Sequence, residues 1–328
     1  MRITRSRVLH ALVAAAVSAV LATPATAQTT APFPSRPIKI IVPAAAGSGP
    51  DTLARLIADH MATQFGKPVV VEDVPGLAGS LGAAKVLSEP ADGYTLLFGF
   101  NQIPTMNPHV YRKLPYDYRQ LAPVSLVGRG GYLLIANNAL PFNDVAGLIA
   151  SASKAPGKFT FASTGTGGSQ HLGMVLLQQS AGITLLHVPY KAGGAANTDL
   201  ISGQVDLMLE PMISGSALVR SKRVKALAIT RPERAPIFPD LPTVGETIKG
   251  FELAGWNAIW TRAGTPPAVI DTLNAAVRTA LTDPALAEKI RDRGLEPKPS
   301  TPDELGALTA SEFARWKGVI QKAGLQPE

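Results

Sequence analysis

The chain has 328 residues, 31 Lys plus Arg against 24 Asp plus Glu, a formal net charge of +7, five His and no Cys. The missing Cys excludes disulfides, thiol nucleophiles and Cys-held zinc or iron–sulfur centres, and the His include no pair at metal-ligand spacing, so neither a metal nor a cofactor is expected. Lys and Arg are scattered without interleaved aromatics, which argues against nucleic acid as a partner and leaves a mild bias toward anionic ligands.

Residues 1–27 read as a signal peptide. Arg2, Arg5 and Arg7 precede an apolar run over 8–21, and Ala25-Thr26-Ala27 offers the small residues that a signal peptidase accepts. That run is shorter than the ~20 residues needed to span a bilayer, so export to the periplasm is expected rather than anchoring. Cleavage before Gln28 removes three arginines and no acids, taking +7 to +4. About 300 residues then remain, more than a single core usually serves, which predicts two lobes.

A β-branched run over 38–42 predicts a strand, and residues 44–50 form a small-residue loop holding Gly47, Ser48 and Gly49. Asp51 opens a helix in which Leu53, Leu56, Ile57, Met61 and Phe65 share a face, stopped by Gly66-Lys67-Pro68. A strand over 69–71, a turn over 75–79, a helix over 80–87 and a strand over 94–98 complete a βαβαβ pattern. The same grammar recurs as a strand at 132–136, a helix at 145–154 and a strand at 159–162. That last strand runs into a second loop, 163–169, with a helix beyond it carrying Leu172, Val175, Leu176 and Gln179. Strands at 185–188, 205–209, 224–229 and 254–260, and helices at 195–201, 266–282 and 302–323, finish the chain. The fold class is α/β, each lobe a mostly parallel mixed sheet flanked by helices.

The two small-residue loops are the candidate site. Each follows a buried strand and opens a helix, where unpaired N–H groups and the positive end of the helix dipole favour an anion. Ser48, Ser163, Thr164, Thr166 and Ser169 add hydroxyl donors, and ordinary βα turns are the competing reading of either loop alone. Enzyme signatures fail. The segment Gly165-Thr166-Gly167-Gly168 lacks the third Gly of a dinucleotide fingerprint, the chain has no Gly-Lys-Ser/Thr phosphate loop, and Ser163 has no nucleophile-elbow surroundings. A dyad of Ser163 with His171 or His187 has nothing in the sequence to fix its geometry; both histidines read as structural, and the chain is expected not to be an enzyme.

Further residues carry a resemblance. Pro34-Ser35-Arg36-Pro37-Ile38, Val42-Pro43 through Asp51, Pro75-Gly76-Leu77-Ala78-Gly79, Asp92-Gly93-Tyr94-Thr95-Leu96-Leu97 and Asn107-Pro108 occur in order, followed by Leu114-Pro115-Tyr116-Asp117 and Ala122-Pro123-Val124-Ser125. Then come Pro156-Gly157-Lys158, His187-Val188-Pro189-Tyr190-Lys191, Gly203-Gln204-Val205-Asp206, Leu241-Pro242-Thr243-Val244 and Ala263-Gly264-Thr265-Pro266. In this set the chain resembles the periplasmic receptors of tripartite tricarboxylate transporters, the Bug receptors, over essentially its whole length after residue 27. The resemblance implies a two-lobed type II periplasmic-binding-protein fold, with residues 28–126 plus 252–328 as one lobe, 127–251 as the other, and linkers near Leu126-Val127 and Phe251-Glu252. It implies a ligand carboxylate held by Pro43, Ala44, Ala46, Gly47, Ser48, Gly49 and Asp51 against Ser163, Thr164, Gly165, Thr166, Gly167 and Gly168, with Asn101, Tyr190, Glu210 and Trp256 also in the cleft. The partners implied are a small carboxylate and the membrane permease subunits, or a sensor kinase in a signalling variant, with the chain a monomer. Two places depart from the family pattern: Ala44-Ala45-Ala46-Gly47-Ser48 stands for the usual Phe-Ala-Pro-Gly-Gly, and the acid and amide of the fourth cleft loop read Glu210-Pro211.

Overall fold

Short β-branched runs become the strands of one mixed sheet, and the amphipathic segments between them become the helices on its faces. This computed structural model describes residues 32–191, 193–325 and 327; the expected signal peptide, 1–27, lies outside the described residues.

The first part of the chain runs β1 (Ile38–Val42), α1 (Gly49–Phe65), β2 (Val69–Asp73), α2 (Ser80–Ser88) and β3 (Thr95–Phe100), then two single-turn helices, α3 (Gln102–Thr105) and α4 (Asn107–Val110). Strand β4 (Leu121–Ala136) leads to α5 (Val145–Lys154), β5 (Thr160–Ser163), α6 (Ser169–Ala181), β6 (Leu186–Pro189), α7 (Gly193–Ser202), β7 (Leu207–Pro211), α8 (Met212–Arg220) and β8 (Lys225–Ile229). After α9 (Val244–Thr247) come β9 (Ala254–Arg262), α10 (Pro267–Thr282), α11 (Pro284–Arg291), β10 (Glu296–Pro297) and α12 (Pro302–Lys322).

The strand order is β2-β1-β3-β9-β4-β7-β5-β6, with β8 and β10 each also paired to β4. Its two ends, β2-β1-β3 and β7-β5-β6, are parallel, while β9 and β4 join them through antiparallel ladders. Apolar side chains gather to match: Ile38, Ile40, Leu53, Ile57, Leu96, Val277 and Ile290 form one buried cluster around β1 and α1, and Leu134, Phe161, Leu172, Leu207 and Leu227 another around β5 and α6. Among the described residues no helix is long and apolar enough to cross a membrane.

Strand β4 corrects the sequence reading. The expected strand at 132–136 is only its last third, because Pro123, Gly128, Gly130 and Gly131 disguise the rest. Proline sits in this ladder beside a register shift between Pro123 and Ser125, which absorbs its missing donor. Gly128 is required by contact: a Cβ there would lie 2.9 Å from the Glu296 carbonyl of β10. Leu126 and Val127, expected as a linker, are 3% and 0% exposed within the β4–β9 ladder. The strand changes partners later, pairing with β9 through Gly131, with β7 from Tyr132 and with β8 from Leu133.

Candidate functional site

Both expected strand–loop–helix units form, and their helices begin on the same cavity. Ser48 is the N-cap of α1, with Pro50 in the first turn, and Gly168 is the N-cap of α6. The cavity measures about 260 Å³, and it is bordered by Pro50, by Phe100 to Gln102 from the end of β3 into α3, by Thr164, Ser169 and Gln170 around the start of α6, and by Glu210 to Ser214 from the end of β7 into α8. Gly130, Gly131 and Tyr132 of β4 and Gly255, Trp256 and Asn257 of β9 complete much of the wall.

Glu210 is the central charged group. It is 5% exposed, and burial pushes its carboxyl up to about 7. Ser214 Oγ donates to Oε1 at 2.7 Å, Gln170 Nε2 donates to Oε2 at 3.2 Å, and Asn197 adds a further side-chain hydrogen bond. Gln170 is itself oriented, since its Oε1 accepts from both Thr164 N (2.9 Å) and Thr164 Oγ1 (2.7 Å). Beside Gln170, Gln102 Oε1 accepts the Ser169 backbone N–H at 3.0 Å, while its Nε2 donates to Asn107 Oδ1 at 3.2 Å. Asn107 is anchored in turn on Ala78 O and Ser80 Oγ. Asn101 and Trp256, 1% and 2% exposed, each border the cavity with a buried side-chain N–H that has no hydrogen-bond partner.

The site residues read from the sequence divide sharply. Asn101, Thr164, Glu210 and Trp256 border the cavity. Pro43, Ala44, Ala46, Gly47, Ser48, Gly49 and Asp51 do not, and only their neighbour Pro50 does. Two backbone N–H groups of that loop are already in use: Gly47 N donates to Asp51 Oδ2 at 2.7 Å and Ser48 N to Ala45 O at 3.1 Å. Asp51 Oδ1 pairs with Arg55 Nε at 2.6 Å, so the nest holds the chain's own carboxylate. Gly49 packs tightly on Ile213, which itself borders the cavity.

In the second loop Ser163, Gly165, Thr166, Gly167 and Gly168 lie outside the cavity wall. Ser163 is fully buried, its Oγ donating to Gly165 O at 3.0 Å and lying 2.7 Å from His187 Nε2. Gly167 N donates to His171 Nδ1 at 3.0 Å, which requires that nitrogen to be unprotonated. The two imidazoles stack with ring centroids 4.0 Å apart, His187 also stacking on Phe161. Burial, and then the neighbouring His171, push His187 down to about 4. Tyr190 is also outside the wall, because its hydroxyl donates to Asp199 Oδ2 at 2.7 Å. Gln102, Tyr132, Gln170 and Ser214 were not read as site residues. Gln102, Gln170 and Ser214 carried a local signal, each a polar residue in the first turn of a helix that follows a strand end.

The sequence model of the family described as "Tripartite tricarboxylate transporter family receptor" matches residues 53–325. The chain is similar to Protein BugT of Bordetella pertussis, 34% identical over 307 residues that cover 93% of each chain. Among solved structures it is similar to "R. palustris Rpa4515 with adipate", 32% identical with a TM-score of 0.85 over 90% of this chain and 100% of that one. It is also similar to "MatC (Rpa3494) from Rhodopseudomonas palustris with bound malate", 30% identical with a TM-score of 0.79 over 88% and 100%. With that coverage, the chain belongs to the tripartite tricarboxylate transporter receptor family, the solute-binding family of BugT.

Proposed function

We propose that the chain is a periplasmic receptor, exported by cleavage after residue 27, that closes on a small organic acid and presents it to the membrane subunits of a tripartite transporter rather than transforming it. The observation that carries this reading is the cavity where α1 and α6 begin and where Asn101 and Trp256 each have a buried N–H without an acceptor. A buried donor left unpaired costs about 1 to 3 kcal/mol, which a ligand carboxylate would recover. Adipate and malate, bound by two relatives, are the chemistry that such a site takes.

The two lobes of this reading meet along the cavity. The crossing points are Gly130–Tyr132 on β4 and Leu253–Gly255 before and within β9, a few residues beyond the 126/127 and 251/252 boundaries that the sequence suggests. Support comes from the change of strand partners at Gly131 and Tyr132 and from three glycines, Gly130, Gly131 and Gly255, at the cavity wall. Closure about those points would bring the start of α1 and the start of α6 onto one ligand, so that binding selects the closed state.

A thermal-shift screen against C4 to C8 carboxylates, with malate and adipate included, tests the proposal. A true ligand at 100 times its Kd stabilises the folded chain by about 2.7 kcal/mol, a rise in Tm of about 4 °C for a protein of this size. No shift from any acid in the panel would end the receptor reading.

A further inference from the structure

We infer that a small oxyanion of the phosphate or sulfate class binds behind the cavity, in a groove of about 190 Å³ bordered by Arg220, Arg231 and Arg291, and that it ties the two lobes together there. The anion site stands apart from the receptor reading above; its role between the lobes rests on that reading.

Most arginines of this chain are tied down. Arg36, Arg55, Arg119 and Arg234 hold carboxylates, and Arg262 and Arg315 donate to backbone carbonyls. Arg129, Arg220 and Arg231 have neither an ion pair nor a hydrogen bond among the described residues, and the Nε of Arg129 is buried without an acceptor. These three collect around one short segment, Gly294 to Glu296. Arg220 closes α8 and Arg231 follows β8, and both border the groove together with Arg291 and Glu296. Arg129 stands directly opposite Glu296 in the β4–β10 ladder, and residues paired in that way leave the sheet on the same face. Arg231 lies against the same strand, since a Cβ on Gly131 would come 3.3 Å from Arg231 Cβ.

Helix dipoles account for part of this gathering, because Arg220 and Arg291 lie in last turns, where a cation complements the carbonyl end. They do not account for Arg129 or Arg231, which belong to a strand and to the residues just past one. Two carboxylates also border the groove. Glu296 is taken by Arg291, Nε to Oε1 at 3.2 Å, and Asp292 has no ion pair, so the uncommitted guanidiniums outnumber the uncommitted acid. A guanidinium presents forked N–H groups that match two oxygens of a phosphate or sulfate, and a tetrahedral oxyanion accepts from several such forks at once. The concave shape admits one compact anion, while Asp292 at its border disfavours a broad polyanionic surface. Arg220 and Arg231 belong to the 127–251 lobe and Arg291 to the other, so one anion held by all three bridges them. Leu295 borders groove and cavity alike, which sets the two sites back to back. An anion that fixes the lobes there changes the affinity of the cavity for its organic acid, and the acid changes that of the anion by the same factor.

Titration calorimetry of the purified protein with sodium phosphate at pH 7.5, against sodium chloride at equal ionic strength, should show one saturable site with a Kd of about 1 mM or tighter, for which sodium sulfate competes. Arg220→Gln and Arg231→Gln should each weaken phosphate about tenfold. Arg223→Gln removes an exposed arginine outside the groove lining and should leave phosphate binding within about twofold. Arg220 is exposed, so its variant reports on the site even where Arg231→Gln fails to fold. Saturating phosphate should then move the Kd of an acid found in the thermal-shift screen by about threefold or more, to a plateau that Arg220→Gln abolishes. Absence of saturable phosphate binding beyond the chloride control, or equal losses in Arg220→Gln and Arg223→Gln, would overturn the site. An acid Kd that rises without limit as phosphate is added would place phosphate in the cavity and overturn it too. An acid Kd that phosphate leaves unmoved would overturn the bridge between the lobes. Phosphate is titrated without any organic acid, so its failure to bind leaves the receptor reading standing, whereas a screen without a hit removes that reading and the bridge but not the site.

Discussion

The loops before α1 and α6 look alike as sequence, each a run of small residues between a strand and a helix, yet they have different fates. In the first, Asp51 folds back onto the Gly47 N–H, and Ala45, Ala46 and Gly47 are exposed and outside the cavity wall. In the second, the amides of Thr164 and Gly167 are tied to the side chains of Gln170 and His171, and Thr164, Ser169 and Gln170 reach the cavity. The difference teaches that an anion nest is a local property, whereas its availability depends on whether the chain supplies an anion of its own. The first nest is filled internally; the second is braced from behind and passes that bracing to Glu210.

The largest expected contrast is steric. Gly167 has φ +74°, and a Cβ there would lie 2.8 Å from Val110 Cβ, so Gly167→Ala combines a left-handed backbone with overpacking against α4. About 3 kcal/mol of stability should be lost, read as a lower urea midpoint at constant slope. A change below about 1 kcal/mol would mean that the second loop is not clamped as described.

Protons should separate the two ends of that bracing. His187 is held near 4 in the fold against an ordinary 6.5, so the unfolded chain binds more protons between those values. Its contribution is complete above about 6.5 and declines as pH falls toward 4. After allowance for its partial exposure the loss is about 1 to 2 kcal/mol, with His171 acting in the same direction. Glu210 has the opposite sign: raised from 4.5 to about 7, it favours the folded state below 4.5, and that advantage is lost as pH rises through 7. Unfolding free energies from pH 4 to 8 should therefore change slope in opposite senses in His187→Gln and Glu210→Gln, flattening the acid limb in the first and the neutral limb in the second. Identical pH profiles in both variants would show that these groups do not titrate as placed.

Asp51→Ala addresses the filled nest. It removes the acceptor of the Gly47 N–H and an acid from the first turn of α1, where it complements the helix dipole, and should cost about 1 to 2 kcal/mol. Loss of Asp51 should leave ligand affinity within about twofold, because its side chain faces Gly47 and Arg55 instead of the cavity. A tenfold loss would return the first loop to the site.

These contrasts also mark where sequence reading stops. The strand–loop–helix units at β1–α1 and β5–α6 were legible because hydrophobic period and small-residue punctuation are local signals. Family membership was legible from motifs spread along the chain. Strand β4 was not, since Pro123 and three glycines break its pattern and only its pairing with β9, some 130 residues away, reveals it. The cavity wall was half hidden for the same reason. Gln102 meets Ser169 from 67 residues away and Gln170 meets Glu210 from 40, so neither partnership has a local signature. The closure of the first loop had no signature either, because a free nest and one closed by Asp51 four residues on have the same composition.

Gly47→Ala gives the smallest effect and the cleanest separation of the two loops. Gly47 has φ +76°, close to that of Gly167, but a Cβ there meets nothing within 4 Å. The backbone penalty of about 1 to 2 kcal/mol should therefore appear alone, without the packing term that Gly167→Ala adds. Since the loop around it does not border the cavity, the thermal shift produced by a ligand should survive in full, measured against the lowered Tm of the unliganded variant. The same holds for Gly47→Asp, whose new carboxylate would stand in open space beside Asp51 rather than against a bound acid. A ligand shift that vanished in either variant, with the fold intact, would mean that the first loop reaches the ligand on closure and that its nest exchanges Asp51 for the ligand's carboxylate.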